Sequence, residues 1–577
     1  METPEKKLSP AETVKANSRY LRGTIAESLA GDSTHFSKDD NILLKSHGSY
    51  EQDDRDLRQK LLAEKKEPAY SMMVRIKIPG GRLSGDQYLV YDRLADQYGN
   101  GTLRITTRQG FQFHGVLKKN LKTVVASINK ALGTTSGACG DNVRNVLACP
   151  APFKDRKKSR LIEYAEKVSN HFLPQSGAYQ EIWLDGEKVQ GLDSKKAEEV
   201  EPIYGKNFLP RKFKIAFAWP DDNCVDAYSN DLGIVPEISR SARNDGGEEL
   251  TGFNILVGGG FGTTHGVATT YPRLATPLCF VKPEELVAIC DAIVLTQRDY
   301  GNRADRKRAR MKYLIDDRGL DWFRAEVEKR FGKKTEAPHE IHWTAIYNHL
   351  GWHEQGDGKW FLGLPIEAGR IKDAGTVRLK TALREAVKKF SPGLYLTCQQ
   401  DFLLGDLEEG QRRPLEELLR SYGVRLPEEV SAVRKDSMAC PAMPTCGLAI
   451  TESERVLPGM MDRLEKKLTA LGLDDRRIMV RMTGCPNGCA RPYNAEIAFV
   501  GRSVGTYNVY VGGSLIGDRL NFVYAEKVLE NNLVESVFPV LDLYKKEGKE
   551  GEGFGDFCHR LGLEELRLKI KKTEESH

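Results

Sequence analysis

The sequence predicts an α/β (α+β) chain with a duplicated, pseudo-twofold architecture: two small β-α-β-β-α units, each followed by a larger α/β segment. Three observations carry this. Strand-like and helix-like stretches recur twice in the same order, and the loop inside each copy carries the same Thr-x-x-Gln pattern. The chain, at 577 residues, is also too long for one hydrophobic core. At ~150 residues per domain it holds roughly three or four.

The first copy opens near residue 70. SMMVRIKIPGG is an apolar strand closed by a Pro-Gly-Gly turn, residues 86–98 read as a helix, GTLRITTRQGFQFHGVL as strand, polar loop and strand, and LKTVVASINKAL as a second helix. The second copy repeats this order. KWFLGLPIEAGRI is a strand and turn, residues 376–390 a helix, GLYLTCQQDFLLGDL a strand-loop-strand, and EEGQRRPLEELLRSYG a helix. Leu103-Arg104-Ile105-Thr106-Thr107-Arg108-Gln109 lines up with Leu394-Tyr395-Leu396-Thr397-Cys398-Gln399-Gln400. Two copies are too few for a solenoid, so an internal duplication is the natural reading. The domains expected are an N-terminal arm over 1–65 with a short helix, a small unit over 66–165, a larger domain over 166–335, a second small unit over 336–428, and a second larger domain over 429–577.

Charge is balanced, with 86 basic and 81 acidic residues and a net charge of +5. That predicts no general affinity for nucleic acid or membranes but leaves room for a locally basic pocket. No apolar leader and no run of ~18 apolar residues is present, so a cytoplasmic location is expected. The eleven cysteines, an odd count without a leader, argue against a disulfide framework.

Four cysteines form two tight pairs. Cys440 and Cys446 lie in ACPAMPTCGLA, and Cys485 and Cys489 in TGCPNGCARP. Each pair sits in a turn rich in Pro, Gly and Asn that can aim two thiolates at one point. Four thiolates suit tetrahedral zinc or a [4Fe–4S] cluster. The C-x5-C spacing is awkward for zinc, whereas a cubane is larger and tolerates it. The other seven cysteines read as small buried hydrophobes.

Basic residues stand where strands end: Arg75 after SMMV, Arg104 and Arg108 around LRITTR, Arg144 in GDNVRNVL, and Arg211, Lys212 and Lys214 in LPRKFK. Taken singly, each reads as a solvated surface charge. Lys212 and Lys214, two apart, would share one strand face, and a cationic face running into an apolar strand suggests an anion. His114, after FQF, taken alone reads as readily as a satisfied core histidine.

The cysteine spacing resembles the signature of sulfite and nitrite reductases. The resemblance runs from about Tyr20 to Gly562 through YLRGTIAE, HGSYEQDDRD, TTRQGFQFHG, LPRKFK, FNILVGGG, TQRDYGNRADRK and GEGFGDF. Within that family the chain is most similar to the haem-protein (beta) subunits of assimilatory sulfite reductases. The resemblance implies two ferredoxin-like half-domains and two larger α/β domains around a central sirohaem crevice. It implies sirohaem and one [4Fe–4S] cluster held by Cys440, Cys446, Cys485 and Cys489, with Cys489 also axial to the sirohaem iron. Arg75, Arg144, Lys212 and Lys214 match the residues that hold the substrate anion. Arg104, Thr106, Arg108, Gln112, His114 and Asn487 match sirohaem-contacting positions. Arg310 stands where relatives have Lys, keeping the charge with a different geometry. Gly258-Gly259-Gly260 lacks a phosphate-loop pattern and is expected to approach the macrocycle closely.

The implied activity is six-electron reduction of sulfite to sulfide in sulfur assimilation and cysteine biosynthesis. Nitrite reductases typically carry Asn at the Lys214 position, and lysine there favours sulfite, as does Arg491-Pro492 after Cys489. No flavin or nicotinamide segment is legible, so the expected electron donor is a partner: an NADPH-dependent flavoprotein or ferredoxin. Some ferredoxin-dependent members cross-link a cysteine placed like Cys139 to a tyrosine, here Tyr50. Remaining alternatives are an ammonia-forming nitrite reductase and a non-enzymatic four-cysteine zinc scaffold.

Overall fold

The computed structural model describes residues 7–154, 156–186, 201–240 and 248–575. Both small units have the expected order. The first runs through strand Tyr70–Arg75, helix Gly85–Tyr98, strands Leu103–Ile105 and Phe111–Val116, and helix Lys118–Lys130. The second runs through Trp360–Leu364, Leu379–Phe390, Gly393–Leu396, Phe402–Leu407 and Arg412–Ser421. Local chemistry sets the ends: Ser84 and Gln87 form a reciprocal capping box at the first helix. Helix Lys118–Lys130 buries Leu121, Val124, Val125 and Ile128, spaced three and four apart, against its sheet.

The two units interlock. Arg82–Leu83, from the first copy, pairs antiparallel with Gly393–Leu396 of the second. Arg370–Ile371, from the second, pairs with Leu103–Ile105 of the first. The Thr-x-x-Gln loops are built alike. The Thr106 hydroxyl accepts from the backbone N–H of Arg108 and Gly110, and that of Thr397 from Gln399 and Asp401. Gln109 and Gln400 both take positive φ, 50° and 76°. Their side chains cross over: Gln109 Nε2 donates to Leu396 O at 3.0 Å and Gln400 Nε2 to Ile105 O at 3.4 Å.

The larger domains repeat the same logic. The second is a five-stranded sheet ordered Ser437–Ala439, Val480–Thr483, Ile497–Ser503, Thr506–Val511, Phe522–Leu529, parallel across the first three strands and antiparallel after. The first has strand Ile215–Phe217 parallel to Leu232–Arg240, then antiparallel Glu248–Val257 and Thr276–Val281. Parallel bridges from Val143 to Phe213 and Leu147 to Ala216 add the matching first strand. Residues 143–147 therefore extend the larger sheet, although the boundary was expected only at 165.

Two further expectations change. The arm is not separate: Ser49–Asp53 is the edge strand of the first small sheet, paired with Tyr70–Arg75. Its earlier residues pack on the body, with buried Lys15 donating to Leu209 O at 2.7 Å and Arg303 pairing with Glu12. Lys212 and Lys214 precede strand Ile215–Phe217 rather than lying in it. Their alternation holds all the same, because Phe213 between them is buried and bridged to Val143.

Gln109→Ala strands the buried carbonyls of Ala148 and Leu396 that its amide now satisfies. A loss of about 2–6 kcal/mol is expected, at roughly 1–3 kcal/mol for each of the two unsatisfied groups. It is measured as a lower denaturant midpoint, with exposed Arg413→Ala as the unchanged control. An unaltered midpoint for Gln109→Ala contradicts the interlock.

Candidate active site and metal centre

Parallel pairing assembles the cysteines. Ser437–Ala439 and Val480–Thr483 lie side by side in the same direction, so their C-terminal ends emerge at one edge, where open α/β sheets place their sites. Cys440 follows the first strand and Cys485 the second. The second half of each pair returns through a tight turn. Gly484 between them is obligatory, since a Cβ there would sit 2.4 Å from Thr451 O and 2.7 Å from Ala442 Cβ. Gly484 N–H points at Cys440 Sγ at 3.4 Å and Asn487 Nδ2 at Cys485 Sγ at 3.5 Å. Cys440 and Cys485 are buried, Cys446 is half-buried and Cys489 is exposed.

Burial, followed by the charge of the neighbouring cysteines, pushes the thiols of Cys440, Cys446 and Cys485 up, the last to about 11. Such a nest holds thiolates only around a cationic core. The four sulfurs do not draw within 4.8 Å of one another, as the ligands of a single ion do; among the described residues a different group does. The wider spread fits an iron–sulfur cubane and not tetrahedral zinc.

Beside the nest lies a crevice of uncompensated positive charge. The Val143–Phe213 bridge places Arg144 next to Lys212 and Lys214: Arg144 N donates to Phe213 O at 2.9 Å. Arg75 ends its strand opposite Gln112. Lys212 and Lys214 are partly accessible yet enclosed by protein, as side chains lining an internal crevice are. Burial first, then guanidinium groups, depress both ammonium groups well below the usual lysine range; Arg211 leads for Lys212 and Arg108 for Lys214. Arg108 falls to about 9 and Arg211 to about 10, chiefly through burial. Among the described residues no group pairs with either lysine Nζ.

The nearby acids are already held. Asp231 binds Arg310 through both oxygens, at 2.9 and 2.8 Å, and accepts from Lys214 N. Asp141 binds Arg306 and Lys15, and Asp226 binds Arg481 and Arg491. The nest and the crevice adjoin: Thr107 Oγ1 donates to Cys489 O at 3.0 Å, and the Cys489 sulfur acts electrostatically on Lys214.

The remaining expected residues divide by what they touch. Gln112 and His114 sit on one face of strand Phe111–Val116. Gln112 Oε1, His114 Nε2, Arg75 Nε and Arg108 Nε are buried without a partner. Burial and then Arg370, Arg104 and Arg75 keep His114 neutral. Thr106 spends its hydroxyl on its own loop. Arg108 clasps Asn230, Asn145 O and Ile215 O.

Arg104 is committed to Glu454 at 2.9 Å and Ala439 O at 2.8 Å, and so props the Cys440 turn. Arg310 is likewise committed, to Asp231. The close approach at Gly259 and Gly260 is to protein: a Cβ would meet Tyr228 O at 2.2 Å and Arg310 Nη2 at 2.6 Å. Arg55 was missed by the sequence reading. It donates to Cys446 O and Ala449 O, pinning the first cysteine turn from the arm. Its only signal was its place in HGSYEQDDRD.

The orphaned donors and acceptors, the unpaired cations and the soft thiolate nest fit a polycarboxylate macrocycle over an iron–sulfur cluster. Comparison with known proteins agrees. The description "Nitrite and sulphite reductase 4Fe-4S domain" matches residues 163–335 and 430–577, and "Nitrite/Sulfite reductase ferredoxin-like half domain" matches 64–131 and 353–422. A sulfite reductase (ferredoxin) of Synechococcus elongatus is 48% identical, covering 97% of this chain and 90% of that protein. A sulfite reductase (NADPH) hemoprotein beta-component of Staphylococcus saprophyticus is 45% identical over 97% of each. One from Geobacillus thermodenitrificans is 44% identical, covering 98% and 97%. The solved structure of the Mycobacterium tuberculosis NirA protein shares the fold, with TM-score 0.78 over 98% of both chains at 23% identity. The chain belongs to the nitrite and sulphite reductase family.

Proposed function

We propose that this chain is the haem-protein component of a sulfite reductase, carrying out six-electron reduction of sulfite to sulfide in sulfur assimilation. The observation that carries this reading is the enclosed, unpaired Lys212–Lys214 couple, flanked by Arg144 and Arg75, beside the four-cysteine nest. Arg75, Arg144 and the lysines offer a small oxyanion several fixed cations at once. Cys440, Cys446, Cys485 and Cys489 would hold the [4Fe–4S] cluster. Gln112, His114, Arg108 and Asn487 would contact the sirohaem, and Arg104 and Arg310 would support it through Ala439 and Asp231. Those cofactors supply electron storage and an iron for the substrate.

The protein supplies charge and protons. Burial depresses Lys212 and Lys214, and an oxyanion beside them raises both again, so the bound anion favours their charged forms. They then stand as the acids for oxygen leaving as water. Sulfite binding therefore weakens, and KM rises, as pH climbs through the range where these lysines lose their protons. Lys214→Ala is expected to lower kcat/KM for sulfite by about 10²-fold or more and to flatten that pH dependence. Unchanged turnover with an unchanged pH profile overturns the assignment.

The donor is a separate electron-carrying protein, ferredoxin or an NADPH-dependent flavoprotein; relatives of similar identity bear both names. The crevice favours a second, local reading of Tyr50 and Cys139. Arg75 Nη1 donates to Cys139 Sγ at 3.0 Å, Arg144 Nη2 to Tyr50 OH at 3.5 Å, and the Cys139 charge pushes the phenol up after burial. A sulfur–ring bond there would release two hydrogens to an oxidant such as dioxygen. Intact mass spectrometry is expected to find the chain lighter by two hydrogens, and a full mass rules the bond out.

A further inference from the structure

Cys149, Asp222, Cys224 and His349 lie outside the site above, and all four are buried. One ligand atom from each falls within 4.8 Å of all the others. His349 Nε2 is 2.9 Å from Asp222 Oδ2, and Cys149 Sγ is 3.3 Å from that oxygen and 3.5 Å from His349 Nε2. The edges of a zinc tetrahedron between such atoms measure about 3.3–3.8 Å, given metal–ligand bonds of ~2.0–2.3 Å. His349, Asp222 and Cys149 thus stand within about half an ångström of the separations coordination requires, and Cys224 Sγ lies within 4.8 Å of each of them.

We propose that Cys149, Asp222, Cys224 and His349 form a closed, structural zinc site. Two thiols, an imidazole and a carboxylate make a complete four-ligand set of the borderline-soft kind zinc takes. The surroundings orient the ligands as outer-shell groups do. The second oxygen of Asp222 accepts from Cys224 N at 3.1 Å and Tyr347 N at 3.0 Å, which turns Oδ2 inward. Phe153 packs edge-on to the His349 ring, 6.4 Å between centroids. His349 itself takes φ +58°, a strained setting for a residue with a Cβ. Gly363 lies so close to His349 O that a Cβ there would sit 1.9 Å away.

The site joins three segments that backbone hydrogen bonds already bring side by side: Phe217 N donates to Leu147 O at 2.8 Å, Asn223 N to Ala345 O at 3.1 Å and Thr344 N to Pro220 O at 3.2 Å. Cys149 ends the stretch that opens the first larger sheet. Asp222 and Cys224 lie in the loop after strand Ile215–Phe217. His349 ends residues 337–350, which carry no regular structure before strand Gly351–Glu354 opens the second small unit. His349 would add a fixed anchor at the end of that irregular stretch. Gln399 Nε2 donates to Cys224 O at 2.6 Å, so the anchor also seats the second Thr-x-x-Gln loop. Binding Zn2+ releases the two thiol protons, leaving two thiolates, a carboxylate and a neutral imidazole on the cation.

Elemental analysis of the anaerobically purified holoenzyme, grown with added Zn2+, decides the matter. The expected result is about one zinc per chain beyond the cluster iron. X-ray absorption at the zinc edge should show two sulfurs at ~2.3 Å and two lighter ligands at ~2.0 Å. His349→Ala and Cys224→Ser should lose at least nine-tenths of the zinc and keep their iron. Cys446→Ser should lose iron and keep zinc, which separates this site from the cluster. Full iron without zinc in the wild type, even after incubation with Zn2+, overturns the proposal without recourse to any variant. So does a Cys149–Cys224 disulfide in the anaerobic protein, or zinc that follows Cys446.

Discussion

Gln109 and Gln400 each reach across the molecule to a carbonyl at the end of the other copy's strand. Each sits in a left-handed backbone setting that aims its amide outward from its own loop. With the exchanged strands Arg82–Leu83 and Arg370–Ile371, these amides make the two small units one body. The crevice depends on that union. It carries Thr107 to Cys489 and Arg108 to Asn145 and Ile215, and lets Arg104 and Arg370 share Glu454 beneath the Cys440 turn. A slip of one unit against the other would part the thiolate nest from the cationic crevice.

The duplication explains why those two opposites meet. In the first larger domain, residues 143–147 and strand Ile215–Phe217 occupy the places that Ser437–Ala439 and Val480–Thr483 take in the second. In one copy those segments carry Arg144 within the first and Lys212 and Lys214 just before the second, and in the other the turns after the strands carry four cysteines. Buried cations without acids and buried thiols without a metal are each unfavourable alone. Set side by side they call for an anion and a cationic cluster, which is the chemistry of an electron-fed oxyanion reductase.

Much of this was legible in the sequence. Period-two and helical patterning gave the element order of both small units, and the alternation around Phe213 survived although the strand begins later. The cysteine turns were legible because Pro, Gly and Asn mark them. What escaped was pairing over long separations. That Asp231 would take Arg310, or Glu454 take Arg104, is invisible when partners stand 79 and 350 residues apart. Gly259 looked like a ligand cradle because a glycine run does not say which backbone comes close. Cys149 and Cys224 read as buried hydrophobes because His349 and Asp222 reach them only in the fold.

The central claim is that the paired lysines and the nest beside them make this a sulfite-reducing site. The most direct measurement is anaerobic turnover of the purified holoenzyme with reduced viologen dye, comparing kcat/KM for sulfite and nitrite. The account predicts a preference for sulfite, with sulfide as the product. A strong preference for nitrite would contradict it while leaving the fold and cofactors in place, and no turnover of either anion at full iron content would refute the crevice as the substrate site.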